Sequence, residues 1–138
     1  MGYRSDVAIG IAFPNREAMI GFLTSIKLKG DVIQPEELAH YKASQDTDTV
    51  ILHARFSDVK WYDSYPDVQC HHRLINTAQA EDFATAFICI GEESNDVTMD
   101  FSSGEGDDDL YSMYGVRREL IAPEDGVALS EFINTNKE

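Results

Sequence analysis

Between Arg73 and Arg117 this chain contains no lysine or arginine, and the 43 residues in between carry ten acids. A block of like charge repels itself and stays unfolded unless apolar side chains tie it down. Here Phe83, Phe87, Ile88, Ile90, Val97, Met99 and Phe101 run through the block at strand-like spacing. The segment is therefore expected to fold as strands, with an apolar face turned to a core and carboxylates on the other face and in the connections.

The chain has 138 residues and 43% hydrophobic content, enough for one domain that buries roughly two thirds of its unfolded surface without disulfide or metal staples. Its 25 acids and 11 bases give a net charge of −14. That balance disfavours nucleic-acid phosphates and anionic membranes as direct ligands, and favours a basic protein partner or plain solubility. Cys70 and Cys89 have no framework spacing and read as reduced thiols. The opening MGYRSDVAIG shows no secretory pattern, and no apolar run approaches the ~20 residues of a spanning helix. Asp6 stands where a myristoylation pattern needs Ser or Thr.

Residues 6 to 13 alternate Val7, Ile9, Ile11 and Phe13 with Ala8, Gly10 and Ala12, which predicts a central strand covered on both faces. Asn15 is placed to cap a helix carrying Ala18, Met19, Phe22, Leu23 and Ile26 and ending at Gly30. Pro35 opens a shorter helix expected to reach about Ala43, and Thr49 to Trp61 reads as a long strand. Pro66 starts a third helix to about Gln79, with Asp63 or Ser64 as its cap. Strands near 83–90, 96–102 and 110–121 are expected to form an antiparallel meander, followed by a short helix at 127–133. The expected architecture is a single α+β domain over residues 1–138: about five strands in a mixed sheet, two to three helices mainly on one face, and the meander at the C-terminal end.

Four groups of residues invite a chemical reading. Cys70, His71 and His72, with His53 on the second strand, are of the types that ligate zinc, and they define a rival reading as a metal-dependent or small-molecule-processing enzyme. Adjacent helical residues point about 100° apart, however, so no more than two of the three can share a site, and no CxxC or HExxH spacing completes a ligand set. The turn from Asp100 to Asp109 suggests calcium, yet an EF-hand loop starting at Asp100 would place Gly sixth and Glu twelfth, where Glu105 and Tyr111 stand. Glu92 and Glu93 could perform acid–base work but have no neighbouring nucleophile. Trp61, Tyr62 and Tyr65 crowd one strand-to-helix corner, where they could anchor a partner or roof the end of the core. No cofactor, metal or catalytic residue is assigned.

Met1-Gly2-Tyr3-Arg4-Ser5-Asp6-Val7, the run Val59-Lys60-Trp61-Tyr62-Asp63-Ser64-Tyr65-Pro66-Asp67-Val68, and Ile90-Gly91-Glu92-Glu93 resemble small acidic, largely uncharacterised accessory proteins of tailed bacteriophages. The resemblance implies a viral accessory protein acting in the host bacterial cytoplasm, and it carries no catalytic residue with it. By charge alone, the chain also resembles acidic phage inhibitors of host defence that mimic nucleic acid. Fourteen charges match about 24 Å of duplex, against a domain diameter of about 35 Å, so mimicry requires the acids to gather on one side. On strand 96–102, Asp96, Thr98, Asp100 and Ser102 share one face, while Val97, Met99 and Phe101 share the other and are expected to be buried. Two acids on this strand stand about 13 Å apart, beyond the ~8 Å screening length of physiological salt, so the turns must contribute. The expected function is therefore non-enzymatic: binding and inhibition of a basic host protein through Glu92, Glu93, Asp96, Asp100, Glu105, Asp107, Asp108 and Asp109, with Trp61, Tyr62 and Tyr65. Direct nucleic-acid and membrane binding are not expected. Self-association as a homodimer, and a structural role in which the charge only keeps the chain soluble, stay open.

Overall fold

A computed structural model describes residues 4–29, 32–33, 35–46, 48–62, 64–91, 97–102, 115–117, 119–121 and 126–129. Its centre is β1 (Ser5–Phe13), whose residues Val7 to Phe13 are all buried. One apolar set of this strand faces the helices and the smaller Ala8 and Ala12 face the other way, as its two-sided pattern predicts. After β1 come α1 (Arg16–Lys29), the single turn α2 (Pro35–Leu38), β2 (Lys42–Asp46) and β3 (Thr49–Val59). Then follow α3 (Pro66–Ala80), β4 (Ala84–Ile90), β5 (Val97–Ser102), β6 (Gly115–Arg117), β7 (Glu119–Ile121) and β8 (Val127–Ala128).

The main sheet has six strands in the order β5-β4-β1-β3-β2-β8, and a separate two-stranded sheet pairs β6 with β7. Within it, β4-β1-β3-β2, joined by α1 and α3, has the connectivity of a split βαβ unit, extended by β5 at one edge and β8 at the other. This is the expected α+β class, but every neighbouring pair is antiparallel rather than mixed. The parallel relation expected of a helical crossover exists between β1 and β2, and β3 is inserted between them.

Helices α1 and α3 lie on one face. Met19, Phe22 and Ile26 of α1 and Leu74, Ile75 and Ala78 of α3 join Val7, Ile9, Ile11, Phe13, Val50 and Leu52 in one core. On the opposite face a smaller cluster buries Ala8, Ala12, Ile51, Ala84, Ala86 and Ile88, and β7 runs close to β1 and β4.

Local chemistry sets the boundaries. Asn15 Oδ1 accepts a hydrogen bond from the Ala18 amide at 2.8 Å, the predicted cap of α1. By contrast, α3 starts from Tyr65, which makes no side-chain capping bond; Ser64 is not the cap, Asp63 lies outside the described residues, and the fixed φ of Pro66 does the starting. Lys42 to Asp46 is a strand and not the end of a helix. There Tyr41 and Ala43 are buried on either side of exposed Lys42, a period of two, and the segment pairs residue by residue with Thr49 to His53. Where a short helix was expected at 127–133, Val127 and Ala128 form β8, which satisfies backbone groups on the outer edge of β2, while Leu129 is helical and 130–133 lie outside the described residues. Of the third meander strand expected at 110–121, residues 110–114 and 118 lie outside the described residues, and Gly115–Arg117 and Glu119–Ile121 form the separate β6–β7 pair.

The end of α3 is closed by the Phe83 amide donating to Ala78 O at 3.1 Å and the Asp82 amide to Gln79 O at 3.0 Å. This is a Schellman pattern in which Asp82 occupies the left-handed position, φ 66°, usually held by glycine. It carries Phe83 into ring contact with Phe13 at 4.6 Å and Phe22 at 5.9 Å. Asp82→Gly removes both the Cβ strain and an acid at the negative end of the helix, and is expected to raise stability by about 0.5–1 kcal/mol. Urea denaturation against Asp82→Ala, which keeps the Cβ, checks this; a glycine variant no more stable than the alanine one contradicts the strain argument.

Candidate functional site

The aromatic corner begins with an irregularity. The register of β1 against β3 shifts between Ser5 and Val7, and Asp58 takes φ 55°, a conformation aspartate tolerates better than most residues. Asp6 Oδ1 accepts from the Asp58 amide at 2.9 Å, and Arg4 donates to Asp58 O at 3.0 Å. The strand thus bends as it leaves the sheet, as bulges do beside functional sites, and delivers Trp61 against the end of the core. The indole ring meets Phe56 and His71 at centroid distances of 5.6 Å each, His72 at 6.1 Å and Phe87 at 6.2 Å. Among the described residues its buried Nε1 has no hydrogen-bond partner. Tyr62 stacks edge-on with Tyr65 at 5.1 Å.

Beside this corner lies a cavity of about 440 Å3. It exists because α3 packs against β4, while β5 extends the sheet one strand further. Thr98 pairs with Cys89 and Asp100 with Phe87, so the α3-side residues of both strands form its floor. Trp61 and Tyr62 form one wall, and His72, Ile75 and Asn76 of α3 another, with Ser5 at the β1 end. Asp100 is its one carboxylate among the described lining residues, which include no lysine or arginine.

Three residues singled out in the sequence, Trp61, Tyr62 and Asp100, therefore share one site. Tyr65 is 37% exposed next to it. Glu92, Glu93, Asp96, Glu105, Asp107, Asp108 and Asp109 lie outside the described residues. Val97 and Met99, expected to be buried, are 38% and 47% exposed: β5 is the outermost strand, and only Phe101 of the three reaches the small-residue cluster. Cys89, Thr98, Asn76 and Ser5 were not foreseen; only the alternation of β4 and β5 hints at the first two.

The residues of the rival enzyme reading are dispersed. His53 lies between Leu52 and Ala54 of the helix-side core and so points to the other face, where its Nε2 bonds Ser44 Oγ at 2.9 Å. Gly126 closes over this pair, since a Cβ there would stand 3.0 Å from both atoms. The Cys70 thiol donates to Asp67 O at 2.9 Å. His71 is buried, donating from Nε2 to Glu37 Oε1 at 3.0 Å and accepting at Nδ1 from the Tyr41 hydroxyl at 2.9 Å. That chain ties α2 and the start of β2 to α3. Only His72 reaches the cavity. Among the described residues, no group of three His, Cys, Asp or Glu side chains is placed to hold a metal ion, and no helix is long and apolar enough to cross a membrane.

Comparison with protein-family models, curated proteins and solved structures finds no match to this chain.

Trp61→Ala removes a ring wedged among four others and is expected to destabilise the fold by about 3 kcal/mol, read by urea denaturation. A variant as stable as the parent would show that the ring does not brace the core. Burial lowers the pKa of His71, with Glu37 opposing, and burial with nearby Lys42 lowers that of His53 to about 4. An unfolded chain binds these protons near pH 6.5, so between pH 6.5 and 4 it takes up more protons than the folded one. Stability is then complete above pH 6.5 and declines as pH falls toward 4. His53→Gln should flatten that decline in melting temperature; an unchanged slope rules out the neutral buried imidazole.

Proposed function

We propose that this chain is a non-enzymatic bacteriophage accessory protein that acts in the host cytoplasm, binding and inhibiting a host defence or nucleic-acid-processing protein at a basic surface. The observation that carries the reading is the meeting of Trp61 and Tyr62 with Asp100 at the β5 edge. Large aromatics supply binding energy when desolvated in a partner's surface, and carboxylates around them select for positive charge and speed the encounter. In sequence, Glu92, Glu93 and Asp96 precede this strand and Glu105 and Asp107 to Asp109 follow it, so both ends of β5 are covalently tied to acidic segments. A basic groove that normally engages phosphates would meet here a comparable charge on a protein scaffold, and occupation of the groove would block its nucleic acid. The three bacteriophage-like segments of the sequence support the source. The dispersal of His53, Cys70, His71 and His72 weighs against the enzyme reading.

A pull-down from bacterial lysate at low and high salt tests this directly: a specific basic protein should be retained at low salt and released at high salt. Neutralising Asp96, Asp100, Asp107, Asp108 and Asp109 to asparagine takes the net charge from −14 to −9. The fold should persist, and association with that partner should slow by about ten-fold or more at low salt with a weaker salt dependence. Unchanged rate constants at both salt concentrations would reduce the acids to solubilising charge.

A further inference from the structure

We propose that the cavity beside α3 receives one arginine side chain of the basic partner. This rests on the function proposed above and gives it a point of contact. A volume of about 440 Å3 falls in the lower part of the range of ligand sites, and its chemistry selects a planar cation. Asp100 contributes the negative charge with no lysine or arginine in the described lining to neutralise it, which repels anions. Trp61, Tyr62 and Phe87 offer ring surface on which a guanidinium stacks. Ser5, Asn76 and Thr98 line the same space, and their side chains are of the types that accept further N–H groups.

Arginine fits this set better than lysine. A guanidinium carries five donors in a plane, which suits a carboxylate together with dispersed neutral acceptors, and it is more weakly hydrated than an ammonium, so it leaves water for an aromatic wall more readily. The identity of residue 61 points the same way. A phenylalanine would offer a ring to Phe56, His71 and Phe87 without burying an unmatched N–H, whereas indole gives the strongest cation–π surface of any side chain.

Trp61 is the one tryptophan of the chain, so its fluorescence reports on the cavity alone. The full-length protein is titrated over the millimolar range with an end-blocked Gly-Arg-Gly peptide, with the lysine analogue, and with the citrulline analogue, which keeps the shape and loses the charge. The arginine peptide should shift Trp61 emission saturably, at least ten-fold more tightly than citrulline and more tightly than lysine. Asp100→Asn, at an exposed position of the edge strand, should keep the parent melting temperature and lose that affinity by ten-fold or more. Equal binding of citrulline, no saturable shift, or unchanged affinity in Asp100→Asn overturns the assignment. The partner pull-down separates the two proposals. Salt-sensitive capture by parent and Asp100→Asn alike, with no arginine response, removes the cavity site and leaves the acidic-surface reading. Asp100-dependent arginine binding without a basic partner upholds the site and removes that reading.

Discussion

The fold depends on β1 being apolar on both faces. A strand of this kind has no solvent side, so it must lie inside the sheet and be covered above and below. The bulky set Val7, Ile9, Ile11 and Phe13 meets α1 and α3, and the small set Ala8 and Ala12 lies on the opposite face beside Ile51, Ala84, Ala86 and Ile88 of the flanking strands. Unequal side-chain sizes on the two faces therefore decide which face takes helices. With β1 fixed between β3 and β4, α3 has to cross β4, and the sheet outgrows the helix layer at β5. The cavity is the geometric remainder of that mismatch.

Around it, polar groups are tied down where they brace the fold. Glu37, His71 and Tyr41 form one hydrogen-bonded chain on the helix side, and Ser44 with His53 a second pair on the other. The imidazoles are satisfied as neutral groups, which suits burial and removes them from proton transfer at the surface. Trp61 is stacked on four rings, and among the described residues its N–H has no hydrogen-bond partner. Its place beside the cavity sets this corner apart from the two hydrogen-bonded imidazoles.

How far the sequence could be read followed the range of the interactions involved. β1 was legible because its two-sided pattern is local, and so was the Asn15 cap, which spans three residues. The strand at 42–46 was not: KASQD has little β propensity, and its state is imposed by pairing with β3. The burial assigned to Val97 and Met99 failed because alternation marks which residues share a face and says nothing of what covers that face. At the candidate site, Trp61, Tyr62 and Asp100 each stood out, but their convergence is a product of the β4–β5 register and of a helix that ends 20 residues before Asp100, which no local pattern encodes.

The place of β5 at the end of the strand order among the described residues has a further consequence. A terminal strand with accessible Val97 and Met99 is a template on which another strand can add, and natural sheets guard such edges with charge. Asp100 lies on this strand, and in sequence further carboxylates precede and follow it, with no lysine or arginine between Arg73 and Arg117. Pairing of two copies along the strand would bring like charges together. A substitution that weakens this charge therefore bears on solubility and on strand addition at once, and the two properties cannot change independently.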